Sequence, residues 1–260
     1  MNQYASPKWT IVKQFAFRAF SIYLILYFTF ISGFGYGNPV FNYVNPPLQS
    51  VFSAFANFTF KIFFHREFKG DFPIGDSYLT YTGMFSFLLI AIFFSFVWTI
   101  IDKGSSFPKF FKFMHVFARY YLAIILFAFG IDKLVLLQFT LHPAQFLQPV
   151  GSMDPHMLFW VFVGASKSYQ IFGGLMETIA AILLLFRRTS TIGALIALTL
   201  LINVFILNIG YDTFVKVGVF HFLLFNILIL IPDIKRLFGF FISGQNKSLS
   251  AIPPIIEKGR

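Results

Sequence analysis

The stretch YTGMFSFLLIAIFFSFVWTII, residues 81–101, contains neither a charged residue nor a proline. As a helix it is roughly 32 Å long at about 1.5 Å per residue, close to the roughly 30 Å of hydrocarbon in a bilayer. A helix apolar on every side needs lipid or the centre of a large core around it. Composition chooses between the two. Of the 260 residues 57% are hydrophobic and 12% charged, with a mean hydropathy of +0.76. A soluble domain carries about 25% charge, so the surroundings are lipid.

Five further runs of similar character lie near 15–34, 117–138, 169–186, 191–210 and 214–232. The expected fold is therefore all-α, a polytopic transmembrane protein with six spans. The first run follows Lys8, Lys13 and Arg18 and so looks like a signal sequence, but it has no small-residue cleavage site and other spans follow, so it reads as an uncleaved anchor. Three parts are expected: two N-terminal spans with a long outer loop over 1–116, a four-helix bundle over 117–240, and a flexible tail over 241–260.

Lysine and arginine set the orientation. If the N-terminus is cytoplasmic, that side carries fourteen: Lys8, Lys13, Arg18, Lys103, Lys109, Lys112, Arg119, Arg187, Arg188, Lys235, Arg236, Lys247, Lys258 and Arg260. The other side has four, Lys61, Arg66, Lys69 and Lys216. Both termini are thus expected in the cytoplasm, with the chain in a bacterial inner membrane. This loop bias accounts for the net charge of +10 without nucleic acid.

Three connecting segments stand out. The outer loop 36–80 opens with GNPVFNYVNPP and continues as the Phe-rich VFSAFANFTFKIFFHREF, expected to be an interfacial helix and not a seventh span. MLFWVFVGASKS, 157–168, runs straight into the fourth span. One helix over 157–186 would be about 45 Å long, so a tilt, break or re-entrant piece is expected near Gly164. After residue 233, DIKRLFGFFISG is amphipathic and basic, fit for the inner-leaflet surface, before a polar end containing IPPII.

Polar residues inside the spans concentrate between the midplane and the outer face. Glu177 lies ten residues before Arg187, about 15 Å in. Asn203 is about 18 Å in, and His221 is a turn and a half from the outer end of the sixth span. Asp132 and Lys133 occupy the outer half of the third span; Lys167, Gln170, Asn208, Tyr211, Asp212 and Lys216 lie at or near the outer interface. Lys167, Gln170, Gly174, Glu177 and Ala181 share one helical stripe, and the small residues along it admit a close neighbour. Glu177 is therefore expected to face protein. It either pairs with Lys133 or Lys167 and fixes the register of the bundle, or it meets a ligand or a proton. Asp132 and Lys133 suit structural pairing, and Lys216 suits a snorkelling lysine. His221, Asn203 and Asn226 suit helix–helix hydrogen bonds.

Some chemistries are disfavoured. With no cysteine there is no thiol catalysis, iron–sulfur cluster or thiolate zinc. A bis-histidine haem needs two histidines at matching depth, whereas His221 and His115 are expected at opposite faces. His142, Asp154 and His156 share an outer loop, but their spacing is no known metal pattern. No haem or metal is expected, and neither phosphate loops nor nucleophile elbows occur.

Three pieces read together, ARYYLAIILFAFGIDKL, YQIFGGLMETIAAILLLFRRTSTIGALIAL and NIGYDTFVKVGVFHFLLFNILILIPD, resemble the DoxX/DoxD family of small four-helix membrane proteins. The likeness covers about 117–240. It rests on Arg119 followed by Gly-x-x-Lys, the Gly-x-x-Glu with its basic turn, and Tyr-Asp…Val-Lys leading into the last helix. The positions carried over are Arg119, Asp132, Lys133, Glu177, Tyr211, Asp212 and Lys216. The resemblance implies thiosulfate:quinone oxidoreduction or membership of a membrane redox complex. A quinone would suit a site formed by Glu177, His221 and Asn203. The leading expectation is an accessory membrane subunit binding a quinone or similar lipid-soluble molecule, with membrane lipids and other membrane or periplasmic proteins as partners. The alternative is a non-catalytic membrane scaffold or assembly partner.

Overall fold

The computed structural model of the chain describes residues 9–30, 54, 57–65, 75–102 and 108–244. The GNPVFNYVNPP segment and the tail from 245 onward, with its IPPII, lie outside the described residues. Every described element is helical. Five helices are long and apolar enough to cross a membrane, and a sixth apolar run is bent by 80° near its end. The chain is a polytopic helical membrane protein. It divides into two compact units, Met1–Pro108 and Lys109–Arg260.

In the first unit, α1 (Ile11–Phe30) and α2 (Tyr78–Ile101) form an antiparallel pair. Ser77 starts α2, its hydroxyl accepting from the Thr80 amide, as short polar N-caps do. Arg18, counted above among loop cations, is instead fully buried in α1. Its guanidinium donates to Thr99 Oγ1 (2.8 Å), to Asp102 Oδ2 (2.8 Å) and to the Asp102 carbonyl (3.2 Å), and lies 5.0 Å from the Trp98 ring. A turn away, Ser95 donates to the Phe15 carbonyl at 2.8 Å. Residues 57–64 of the Phe-rich segment are helical, and Phe63 meets Phe85 of α2 edge-on.

The second unit contains α3 (Pro108–Leu134), α4 (Pro143–Leu147), a 3₁₀ turn (Val150–Ser152), α5 (Pro155–Ala165), α6 (Lys167–Leu185), α7 (Ser190–Gly210), α8 (Lys216–Leu230) and α9 (Ile234–Phe241). The helix expected to be too long is indeed interrupted, at Ser166, two residues beyond Gly164. Ser166 closes α5 and caps α6. Gln170 donates back to the Gly164 carbonyl at 3.3 Å and holds the corner.

Four long helices close a ring of contacts. Gly130 of α3 lies against Gly174 of α6, and Gly193 of α7 lies on Leu183 and Leu184 of α6. Asn226 of α8 donates to the Ala194 carbonyl of α7 at 3.0 Å. Tyr121 of α3 packs on Phe225 of α8 with the rings tilted by 58° and their centroids 4.6 Å apart. Between helices in lipid the hydrophobic effect is weak, so close approach and hydrogen bonds carry the association. That is why glycine and alanine occupy these crossings.

Candidate functional site: a buried lysine–glutamate pair

The local structure of α3 and α6 explains how a lysine and a glutamate meet inside the bundle. Gly130 and Gly174 have no side chain between them. A Cβ on Gly174 would stand 2.7 Å from the Gly130 carbonyl oxygen and 2.9 Å from Lys133 Cβ. Lys133 therefore starts against the α6 backbone, and its chain runs along the stripe to Glu177, one turn deeper. Lys133 Nζ donates to Glu177 Oε1 at 2.7 Å and Oε2 at 2.6 Å. The side chains keep 13% and 9% of their exposure, so the pair is shielded yet still reached from one edge.

α3 stops just past Lys133. The Leu137 amide bonds the Asp132 carbonyl and the Leu136 amide bonds the Lys133 carbonyl, with Leu136 in the left-handed region at φ 60°. This is a Schellman closure with leucine where glycine is usual. α7 ends the same way: Thr213 bonds the Asn208 carbonyl, Asp212 bonds the Ile209 carbonyl, and Asp212 has φ 47°. Neither stop has the glycine that would mark it in sequence.

Of the expected site residues, Gln170, Glu177 and His221 are buried. His221 Nδ1 contacts the Val217 carbonyl of its own helix at 2.7 Å. Asp132 is half-buried at the end of α3. Lys167 is exposed and the acid of the stripe takes Lys133 as its partner. Tyr211 stacks on Phe159 of α5, and His156 lies between Trp160 and Phe214, so α5 packs its aromatic side over the α7–α8 turn. His142 caps α4 and Asp154 caps α5, which gives both a local backbone task. Asn203 does not join the group. The buried side of α7 is Gly193, Ala194, Ala197, Leu201 and Asn208, and Asn203 points the other way, exposed.

Two features differ from the sequence reading. The third span begins at 109 and not near 117, so Arg119 lies eleven residues inside α3, about 16 Å along it. It is buried, its guanidinium 4.9 Å from the Tyr120 ring, and no carboxylate among the described residues pairs with it. The end of the bundle bearing Arg187 and Arg188 is also more polar than expected. His115 Nε2 contacts the Ile229 carbonyl at 3.0 Å, and Thr191 donates to Asp233 Oδ2 at 2.7 Å. The missed signal was helical phase: His115 and Arg119 are one turn apart and share the α8-facing side.

At the far end, Lys216 Nζ donates to Asp212 Oδ1 at 2.7 Å. This contact holds the Asp212 carboxyl below the usual carboxylate range. A depressed carboxyl contributes stability at neutral pH and loses it only as pH falls through its folded-state value. Thermal melts should therefore stay level through mildly acidic pH and decline below it, with a slightly shallower decline in Asp212→Asn. Because Asp212 is fully exposed, the difference should be small.

No family model and no solved structure matches the chain. A stretch of 123 residues is 29% identical to the uncharacterized protein YwoB of Bacillus subtilis (strain 168), covering 47% of this chain and 79% of that protein.

Proposed function

We propose that this chain is a DoxX-like subunit of a bacterial inner-membrane complex, with both termini cytoplasmic, and that it acts by assembly and not by catalysis. Its bundle is a rigid four-helix unit that docks another membrane protein through the outward face of α7. The orientation rests on the distribution of lysine and arginine, twelve against four once the buried Arg18 and Arg119 are set aside.

The observation that carries the reading is Asn203. It lies about 20 Å from the Ser190 end of α7 and about 10 Å from the Gly210 end, at hydrocarbon depth, yet it is exposed. Polar side chains at that depth normally face the bundle interior, because an unsatisfied amide in hydrocarbon is costly. Thr199, Asn203, Ile206 and Gly210 share this face, and no Cβ added at Gly210 would meet anything within 4 Å. A helix carrying a polar residue at matching depth satisfies the amide, at about 1 kcal/mol per hydrogen bond. Glu177 supports the same reading, since Lys133 already engages both its oxygens and leaves a structural role for the acid.

The chain has no cysteine, so a single Asn203→Cys reports its neighbours. Expected is one dominant crosslink to a different membrane protein in intact membranes, absent when cysteine replaces the buried Ala197 instead. A crosslink only to a second copy, or none, overturns the assembly reading as stated.

A second reading keeps the quinone-type ligand. The side-chain oxygens of Gln170 and Gln138 are buried without a partner among the described residues, near the ends of α6 and α3 that hold the ion pair. A quinol hydroxyl would satisfy either. Under this reading a quinone is retained by the gently extracted protein and lost in Glu177→Gln.

A further inference from the structure

The end of the bundle opposite Asp212 carries a feature that neither the ion pair nor the α7 face uses. Ile234, Leu237, Phe238 and Phe241 recur along α9 at one-turn spacing and make one apolar side. That side does not close onto the bundle. It forms the wall of a groove of about 350 Å³, whose other walls are Leu195 and Leu198 of α7 and Ile227 and Leu230 of α8. Phe238 and Phe241 stay 62% and 66% exposed.

Two cations, Lys235 and Arg236, lie on α9 itself, the helix that walls the groove. Asp233, at the start of α9, is buried and accepts from Thr191, at the start of α7. This bond fixes Lys235 and Arg236 beside the turn that carries Arg187 and Arg188. Against these four cations the described residues here set Asp233, which is already engaged; Arg236 Nη1 is 3.5 Å from its Oδ1. Arg187 Nε is buried and has no partner among the described residues.

We propose that this groove and its rim bind one anionic phospholipid, an acyl chain lying along the α7–α8–α9 walls and the phosphate held by Arg187, Arg188, Lys235 and Arg236. Charge complementarity selects the occupant. A zwitterionic lipid fills the groove equally well but brings its own cation to a rim already positive. α9 turns by 80° from α8, the bend expected of an amphipathic helix that lies along a membrane surface, and the lipid completes the apolar side that α9 leaves open. The site is independent of the docking face on α7, so either proposal can fail alone.

The test is native mass spectrometry of the full chain in mild detergent, with phosphatidylglycerol or phosphatidylcholine of identical acyl chains added. One phosphatidylglycerol should survive detergent removal, with phosphatidylcholine stripped. Lys235→Gln with Arg236→Gln should weaken retention roughly thirtyfold, since each cation near an anionic surface contributes about one factor of five. Filling the groove with Leu198→Trp should remove retention with the charges intact, whereas Lys61→Gln in the first unit should change nothing. Equal retention of the two lipids, or unchanged retention in both rim and groove variants with native melting curves, overturns the proposal.

Discussion

Glu177→Leu is expected to lower the unfolding free energy of the second unit by about 3 kcal/mol, and adding Lys133→Met should restore most of it. Removing one member of a shielded ion pair strands the other, and the stranded charge sets the cost. Lys133 Nζ is held by both Glu177 oxygens and its stem lies along α6, so it has little room to retreat to water. Methionine at 133 keeps the packing of the stem over Gly173 and Gly174 without the charge. Thermal melts of the two single variants and the double variant in one detergent form the cycle. A double variant no more stable than either single one would mean that the pair does more than hold α3 to α6. A single variant as stable as the parent would mean that it does not hold them at all.

Gly174→Val should be the most damaging apolar substitution in the bundle. Even alanine at 174 would place its Cβ 2.7 Å from the Gly130 carbonyl oxygen and 3.0 Å from the Leu134 amide nitrogen. Both are backbone atoms and cannot rotate aside, so α3 and α6 must separate. Overpacking of this kind costs about 1–3 kcal/mol, and separation also stretches the Lys133–Glu177 contact below it. The loss expected for Gly174→Val is therefore larger than for Glu177→Leu, with Gly174→Ala between it and the parent. Gly151→Ala, where nothing lies within 4 Å, is the control and should be neutral. A native melting curve for Gly174→Val would contradict the close crossing.

Much of this architecture could be read before the structure. Charge-free runs located the membrane helices, and small residues in step with Glu177 marked the side of α6 that takes a close neighbour. An over-long apolar stretch announced the break seen at Ser166. What could not be read has physical causes. Arg18 and Arg119 were counted with the cytoplasmic cations from their place near the ends of their runs, whereas each is buried in a helix, Arg18 bonded to Asp102 and Arg119 against Tyr120. Leu136 and Asp212 hold left-handed closures that sequence marks only when glycine takes them. Asn203 was grouped with Glu177 by depth alone; its phase relative to Gly193, Ala194, Ala197 and Leu201 sets it on the other side of α7. Depth places a residue in a layer, and only the phase of its helix says which neighbour it meets.

The exposed α7 face is the surface proposed to dock another membrane protein. Native mass spectrometry of the chain, extracted gently from its own membrane beside Asn203→Leu, tests it most directly. A protein partner is expected bound to the parent and missing from the variant, with both chains equally folded when isolated. A parent that carries a stoichiometric quinone and no protein, unchanged by Asn203→Leu, would contradict it.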